Sequence, residues 1–315
     1  MKESPIITFL LGFFIAATFC SVQVFAAVAG QQSTCGRAPK HRTINLVANE
    51  NTVNLGEGIK TEAWTFNGTS PGPTIEVCEG DTVKVVVKNE GKFSHGLDSH
   101  AFRINAEKFG PVDVGKTLAF EKKVDTPGVY MYHCANGPAT DQHIKMGMYG
   151  VMIVYPRSQK LREAKELVVS ENGVYGEPDK NGLIAPSSAR MDENRPYLVV
   201  YNGTMKHNSV EVKSGQWLRV YFVNAGPYTS SFHVIGAILD RAYESGNPRN
   251  IAYDVQSYAV PAGSGGMFEV KIPETGKYLL VDHDKLSQLP NGLVIPIVAR
   301  EAVAAKAATQ SKVVH

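Results

Sequence analysis

The stretch GVYMYHCANGPATDQHIKMGMYG, residues 128–150, concentrates sulfur and imidazole side chains of the kind that bind transition metals. It contains Cys134, His143 and Met148 at the spacing Cys-x8-His-x4-Met, and His95 lies upstream, after another apolar run. A thiolate, two imidazoles and a weakly bound thioether are the ligands of a blue-copper site. Each residue taken alone would fit core packing, because free cysteines and methionines are often buried. Together, in this order, they predict a type 1 copper site.

A second pair of histidines accompanies the first ligands. His133 directly precedes Cys134, and His100 follows His95 by five residues. Successive side chains of a strand point to opposite faces, so His133 points outward if Cys134 points into its own domain. His95 and His100 are an odd number of positions apart, so they also point to opposite faces if their segment is extended. Two outward histidines predict a second metal site at a surface or interface. Three later residues are candidates for its third ligand: His207, His233 and His283.

The segments that must position these residues have the pattern of strands. Short apolar runs rich in β-branched residues are bounded by Gly, Pro, Asn and Asp, which indicates strands. The clearest are TVKVVVKN (82–89), GVYMYH (128–133), GVMIVYP (150–156), YLVVYNG (197–203) and WLRVYFVN (217–224). Their close spacing predicts an all-β sandwich or barrel. Over 171–196 we predict a loop.

The strand pattern occurs twice along the chain. Residues 63–100 parallel residues 198–236, and 126–134 parallel 274–283. This repeat predicts two copies of one β-domain, at 40–157 and 158–300. Where the first copy has His133 and Cys134, the second has Asp282 and His283. The second domain therefore lacks the thiolate of a blue site but can supply a histidine to the second site.

Composition excludes some classes of partner. Apolar residues make up 43% and charged residues 20% of the 315 residues, as in ordinary globular proteins. The formal net charge is +2, which gives no electrostatic case for binding nucleic acid or an anionic membrane. Residues 301–315 are predicted to be a flexible C-terminal tail.

The first 29 residues predict export. Lys2 precedes an apolar run over 5–19, and Ala27-Val28-Ala29 offers a small-x-small cleavage site. The run is short for a bilayer span, which needs about 20 apolar residues. We therefore predict a secretory signal peptide over 1–29, no membrane span after its cleavage, and a periplasmic or extracytoplasmic location. In an oxidising compartment Cys35 and Cys78 could form a disulfide, but the sequence leaves two separate thiols equally open.

The histidine count disfavours a laccase-type oxidase. A trinuclear copper cluster together with a blue site needs more histidines than the nine of this chain, and the chain has no His-x-His pair. Sharing ligands between identical subunits does not change the number available per site. The histidines of this chain are sufficient for one blue site and one site with three histidine ligands.

Four segments together resemble the copper-containing nitrite reductases: SHGLDSHAFR (94–103), YHCANGPATDQHIKMGMYGVMIVYP (132–156), SFHVIG (231–236) and VDHDK (281–285). The resemblance extends over residues 42–300 and implies two tandem cupredoxin-like Greek-key domains. It implies one type 1 copper per chain, with the ligands His95, Cys134, His143 and Met148. It implies one type 2 copper, with the ligands His100, His133 and His283. His283 would come from the neighbouring subunit of a homotrimer, and Asp98 and His233 match the family's catalytic acid–base pair.

The resemblance implies a reaction as well. A small electron-donor protein, a cytochrome c or a cupredoxin, would reduce the type 1 site, and the electron would pass to the type 2 site to reduce nitrite to nitric oxide. Two alternatives remain: a two-domain copper oxidase acting on hydroxylamine or another small reductant, and a non-catalytic electron-transfer cupredoxin. The chain departs from the family at Ser99, where a Phe is usual, at Gln142, where an aromatic residue is usual, and in 236–248, which lacks a second histidine.

Overall fold

Twenty strands form the framework of the part of the molecule that the structure describes. The computed structural model describes residues 35–301, so the predicted signal segment and residues 302–315 lie outside it. The first eight strands are β1 (His41–Gly56), β2 (Ile59–Phe66), β3 (Ile75–Cys78), β4 (Thr82–Asn89), β5 (Asp98–Ser99), β6 (Thr117–Lys123), β7 (Gly128–His133) and β8 (Tyr149–Tyr155). The other twelve are β9 (Lys165–Val174), β10 (Leu183–Ile184), β11 (Leu198–Tyr201), β12 (Val210–Lys213), β13 (Trp217–Asn224), β14 (Ser230–Ile235), β15 (Leu239–Glu244), β16 (Ile251–Val255), β17 (Tyr258–Val260), β18 (Ser264–Lys271), β19 (Gly276–Asp282) and β20 (Val294–Arg300).

Helices occur only as short connections in the described part of the chain. They are α1 (Thr140–Lys145), α2 (Ser188–Asp192) and three 3₁₀ segments, Ala106–Lys108, Gly137–Ala139 and His283–Asn291. Between residues 35 and 301, no helix has the length and apolar character needed to cross a membrane. The prediction of an all-β fold is confirmed.

The strands pair into four sheets that form two sandwiches. The first unit consists of the sheets β10-β2-β1-β4-β6 and β3-β8-β7-β5, and the second of β11-β9-β13-β18-β15-β16 and β12-β20-β19-β14-β17. In the first unit β1 runs parallel to β4, and in the second β9 runs parallel to β13 in the same way. The two units therefore share this parallel pairing. Each unit has a buried apolar core of its own.

The two units are joined by a third apolar cluster. Strand β7 explains why, since its residues alternate between two cores. Tyr132 packs in the core of the first unit, whereas Val129 and Met131 pack against side chains of the second unit such as Tyr221 and Met267. Both faces of β7 are therefore buried, and its C-terminal end is held firmly in place.

The segment 171–196 differs from the predicted loop. Its first four residues are the end of β9, and α2 lies near its other end. Between them, β10 pairs in parallel with Lys60 and Thr61 of β2, which extends the sheet of the first unit. The loop prediction therefore holds for most of the segment but misses β10, because a strand partner provided by the other sandwich leaves no local signal.

Cys35 and Cys78 form a disulfide bond. The bond ties the chain before β1 to the end of β3 and settles the question that the sequence left open.

Candidate metal centres

The loop after β7 returns two side chains to the same place as Cys134. A 3₁₀ turn at Gly137–Ala139 leads into α1, which is closed by an ion pair of 2.6 Å between Lys145 Nζ and the Asp141 carboxylate. The Cys134 N–H donates to the Met148 carbonyl at 3.0 Å, and the Met148 N–H donates to the His143 carbonyl at 3.1 Å. Cys134, His143 and Met148 are all buried. The loop is therefore closed on itself by the residues that were predicted as ligands.

His95 reaches the same point from the chain between β4 and β5. Its N–H donates to the Val112 carbonyl at 3.1 Å. The next residue, Gly96, donates its N–H to Cys134 Sγ at 3.3 Å. A Cβ on Gly96 would lie 2.0 Å from the Ala135 carbonyl oxygen, so only glycine allows these two segments to approach so closely.

Three donor atoms converge in this buried place. Cys134 Sγ lies 3.1 Å from His143 Nδ1 and 3.7 Å from His95 Nδ1, and the two Nδ1 atoms are 3.2 Å apart. The atoms belong to a group whose members all lie within 4.8 Å of one another. Met148 is fully buried in the same apolar cluster as Cys134. A soft thiolate with two imidazoles is a donor set that suits copper, so the residues fit the ion.

Burial controls the protonation of this group. It raises the pKa of the Cys134 thiol to about 12, although the Gly96 N–H opposes the shift. It lowers the pKa of His143 to about 4, and the neighbouring His95 acts in the same direction. Without a metal ion, the group is a neutral thiol beside neutral imidazoles at pH 7. A bound cation would have to displace the thiol proton, as is usual for cysteine ligands.

Three side chains that the sequence did not single out surround this group. The Glu50 carboxylate Oε1 lies 3.4 Å from His95 Nε2, and the Asn136 amide lies 3.2 Å from His143 Nε2. The Trp64 ring meets the His143 ring edge-on, with centroids 4.4 Å apart. Glu50 and Trp64 are direct partners across β1 and β2. Sequence spacing could not have predicted Glu50 and Trp64, because only strand pairing brings these two residues to the site.

The charge of Glu50 is set by its surroundings. Burial raises the pKa of its carboxyl, but hydrogen bonds from the Lys92 N–H and from His95 more than offset this, and the pKa lies below the usual range. Burial lowers the pKa of His95, while Glu50 opposes that shift. A carboxylate and a neutral imidazole therefore face each other at neutral pH.

A second group lies on the opposite side of the β7 end. His100 Nε2 and His133 Nε2 are 3.1 Å apart, and Asp98 pairs directly with His133 across β5 and β7. Asp98, His100 and His133 form a possible metal-binding group in which His100 is exposed and His133 is buried. His133 Nδ1 donates to the Cys134 carbonyl at 2.8 Å, so the free electron pair of the ring lies on Nε2. One exposed and one buried imidazole beside a carboxylate suit a metal ion with room for a small ligand.

The surroundings of Asp98 make its carboxyl a weaker acid than usual. Burial raises its pKa above the usual range, and the nearby His133 and His100 oppose the rise. Burial lowers the pKa of His133, although its bond to the Cys134 carbonyl opposes that shift. The arrangement therefore places a carboxyl with a raised pKa next to the imidazoles of His133 and His100.

The remaining predicted site residues lie on the second unit. His283 begins the last 3₁₀ segment, is exposed, and has its ring centroid 5.3 Å from that of His233 on β14. Within residues 35–301 of one chain, the groups able to bind a metal include neither His283 nor His233. His207, the other candidate, is held by a 3.1 Å bond between its Nε2 and the Gly292 carbonyl.

The backbone around His283 is fixed by its neighbour. The Asp282 carboxylate Oδ1 accepts N–H bonds from Ser231 at 2.9 Å and from Asp284 at 3.1 Å. Its other oxygen is paired with the Lys285 ammonium. His283 therefore projects from a rigid turn at the surface, beside His233.

Two of the residues that depart from the family pattern have clear contacts. Ser99 is buried with its Oγ 3.3 Å from Met152 Sδ, so it faces the core of the first unit. Gln142 lies 3.5 Å from Ser188 Oγ at the start of α2. The residue before His143 therefore contacts the second unit.

Comparisons with known proteins find two kinds of copper protein, multicopper oxidases and copper-containing nitrite reductases. A family model described as multicopper oxidase matches residues 47–159. A copper-containing nitrite reductase from Neisseria meningitidis serogroup A is 35% identical over 258 residues, which cover 78% of this chain and 66% of that protein. The chain thus spans slightly less than two-thirds of the length of this curated relative.

Solved structures give the same result in three dimensions. The copper nitrite reductase of Nitrosomonas europaea has a TM-score of 0.76 and 35% identity, with 83% of this chain and 94% of that chain covered. A copper-containing nitrite reductase from Thermus scotoductus has a TM-score of 0.75 and 28% identity, with coverages of 83% and 62%.

Proposed function

Because the chain belongs to the copper-containing nitrite reductase family, we propose that it catalyses the one-electron reduction of nitrite to nitric oxide. The reaction consumes nitrite, one electron and two protons and yields nitric oxide and water. The observation that carries the proposal is the pair of ligand groups on either side of one peptide bond, one buried and sulfur-containing, the other partly exposed and next to an acid.

Each group has its own part in this proposal. His95, Cys134, His143 and Met148 would hold the type 1 copper, and His100 and His133 would hold the type 2 copper together with His283 of a neighbouring subunit. Copper bound at the two sites would supply one-electron redox chemistry and Lewis acidity.

The peptide bond between His133 and Cys134 gives the shortest covalent link between the groups. Cys134 is fully buried, which keeps water and oxidants from its sulfur. His133 is fixed by its hydrogen bond to the Cys134 carbonyl, so the orientation of one ligand depends on the next residue. An electron that enters at the buried group would reach the exposed one without leaving the chain.

Proton delivery is the proposed task of Asp98 and His233. A positioned acid must hold its proton at working pH and lie within reach of the substrate. Asp98 stands beside both imidazoles of the exposed group, and burial raises its pKa. His233 lies beside His283 and accepts or donates through Nε2, since its Nδ1 is 2.7 Å from the Gln256 carbonyl. If His283 joins the neighbour's type 2 site, it brings His233 with it.

This assignment requires a closed ring of subunits, which we propose is a homotrimer. A small electron-carrying protein, a cytochrome c or a cupredoxin, would supply the electron. Export to the periplasm is supported by the disulfide between Cys35 and Cys78, because such bonds persist in oxidising compartments.

The proposal is tested by mixing copper-loaded protein with a chemical reductant and nitrite and following nitric oxide with an electrode. Wild type should produce nitric oxide, and Cys134→Ala should lose its visible colour and most of its turnover. Hydroxylamine in place of nitrite provides the comparison. Consumption of hydroxylamine with no formation of nitric oxide from nitrite would contradict the proposal.

A further inference from the structure

His95 has a carboxylate behind it. Its Nδ1 atom faces Cys134 Sγ and His143 Nδ1, and its Nε2 atom faces Glu50 Oε1 at 3.4 Å. The His95 side chain has no solvent exposure, and that of Glu50 is 19% exposed. Because both groups are shielded, solvent screens their interaction much less than it screens a surface pair.

The position of Glu50 is built into the fold. The Lys92 N–H donates to both carboxylate oxygens, at 2.9 and 3.0 Å. Next to it, a Cβ on Gly91 would lie 2.6 Å from Glu50 Oε1, so glycine leaves the space that the carboxylate occupies. Glu50 also pairs across the sheet with Trp64, which contacts the same ligand group. Three independent features thus hold this carboxylate against His95.

We propose that Glu50 is a positioning residue that fixes the protonation pattern of His95 and lowers the reduction potential of the type 1 copper. This inference rests on the type 1 site of the proposed function but does not depend on nitrite being the substrate. A carboxylate can only accept, so His95 carries its proton on Nε2 and presents an electron pair at Nδ1. Outer hydrogen bonds of this kind orient imidazole ligands and increase their basicity.

The sign of the effect on the potential follows from charge. The oxidised ion carries one more positive charge than the reduced ion, so a nearby carboxylate stabilises the oxidised state more. The other imidazole ligand, His143, meets only the neutral amide of Asn136 at its outer nitrogen. At the outer nitrogens of the two imidazole ligands, Glu50 is therefore the charged partner and Asn136 the neutral one.

Three variants separate the role of Glu50 from general effects of charge. Glu50→Gln removes the charge but keeps the shape. Gly91→Ala keeps the charge but displaces the carboxylate from His95. Glu90→Gln is the matched control, because it removes an exposed carboxylate on the adjacent turn that is paired with Lys88 at 2.6 Å.

The main measurement is the type 1 potential, by optical redox titration of the copper-loaded protein. Partners of this kind typically change metal affinity about tenfold to 100-fold, and a tenfold change in the affinity ratio of the two oxidation states is about 59 mV for one electron. Glu50→Gln should raise the potential by at least that tenfold equivalent, and Gly91→Ala should shift it in the same direction. Equal potentials for Glu50→Gln, Glu90→Gln and wild type would overturn the proposal.

A second measurement needs neither copper nor a variant of Glu50. Nitrogen NMR of the metal-free wild-type protein should show His95 with its proton on Nε2. A proton on Nδ1 would overturn the proposal even if Glu50→Gln failed to fold. Nitrite reduction by wild type is assayed separately, so loss of the proposed activity and loss of this inference give different results.

Discussion

His133 and Cys134 are neighbours in the chain, yet their side chains belong to different ligand groups. His133 Nε2 lies 3.1 Å from His100 Nε2, and Cys134 Sγ lies 3.1 Å from His143 Nδ1. The cause is the alternation of β7, which sends Tyr132 into one core and Met131 into the other. A step of one residue at the end of one buried strand therefore separates the two sites.

Binding of a metal ion at the buried group should release one proton. Burial raises the pKa of Cys134 to about 12 and lowers that of His143 to about 4, so at pH 7 only the thiol has a proton to lose. Calorimetric titration of the metal-free protein in buffers of different ionisation enthalpy measures this number. Affinity should increase with pH, since a proton is a product of binding.

The control for proton release is Cys134→Ala, which keeps the exposed group but has no thiol. It should bind a metal ion at His100 and His133 without releasing that proton. Equal proton release by the variant and by wild type would show that Cys134 is not a ligand.

Trp64 should report on occupancy of the same group. Its ring centroid is 4.4 Å from that of His143, and the only other tryptophan of the sequence is Trp217, which stacks on Arg162 at 3.9 Å. In a Trp217→Phe background, Cu²⁺ should quench most of the emission, because a redox-active ion at this distance deactivates the excited ring. Zn²⁺ has no redox chemistry and should leave the emission largely intact. Bright emission from the coloured, copper-loaded protein would contradict the placement.

Much of the fold could be predicted from the sequence where the signal is local. The predicted runs 82–89, 128–133 and 217–224 coincide with β4, β7 and β13, because their alternation and flanking turn residues act within a few positions. The grouping of Cys134 and His143 has the same local origin, a loop of fixed length. By contrast, β10 and Glu50 depend on partners in distant parts of the chain, and Glu50 is 45 residues from His95. No spacing rule reaches such contacts.

The structure of one chain cannot bring His283 to a metal site, since its proposed ligand partners would lie on another chain. In the proposed homotrimer, we expect that the His100→Ala and His283→Ala variants each lose nitrite reduction, and that mixed rings regain part of it. In a mixed ring, one interface joins intact His100 and His133 to an intact His283. The rate per trimer should therefore recover to roughly a third of wild type.

Two affinity tags, one on each variant, allow the mixed rings to be isolated after co-expression. Their copper content and nitric oxide production are compared with those of the two parent variants. Mixed rings that remain as inactive as the parents would show that the site is not shared between subunits.

Glu171 should make stability depend on pH. Burial raises its pKa to about 8, and Asp282 acts in the same direction. Between about 4.5 and 8 the folded state keeps a proton that the unfolded state has lost, so the free energy of unfolding falls as pH rises. The slope from one such group is about 1.4 kcal/mol per pH unit.

Glu171→Gln is neutral at every pH, so its stability relative to wild type should improve steadily from pH 5 to pH 8. Denaturant unfolding followed by circular dichroism at several pH values measures this difference. Glu211→Gln, which removes an exposed carboxylate paired with Arg300, controls for the loss of charge alone. A constant difference between Glu171→Gln and wild type would mean that Glu171 is already ionised in the folded protein.

Asp98→Asn should separate proton delivery from metal binding. The substitution keeps the size of the side chain but removes the carboxyl that faces His100 and His133. Loss of one positioned proton-transfer group typically costs about 10²–10⁴ in rate. Copper content and the visible spectrum should stay close to those of wild type, because Asp98 is not among the proposed ligands of either copper. Asp113→Asn, on an exposed turn, is the matched control.

The pH profile gives the sharper test of Asp98. Burial raises the pKa of its carboxyl, so the acid form persists to higher pH than for an ordinary aspartate and is lost as pH rises through that value. Wild-type nitrite reduction should fall on the alkaline side, and Asp98→Asn should lose this dependence along with most of its rate. The range from about pH 5 to pH 8 is the one in which histidines titrate. If Asp98→Asn reduces nitrite at the wild-type rate throughout this range, Asp98 has only a structural role. The protons for the reaction would then have to arrive without Asp98, and His233→Ala should cause the larger loss of rate.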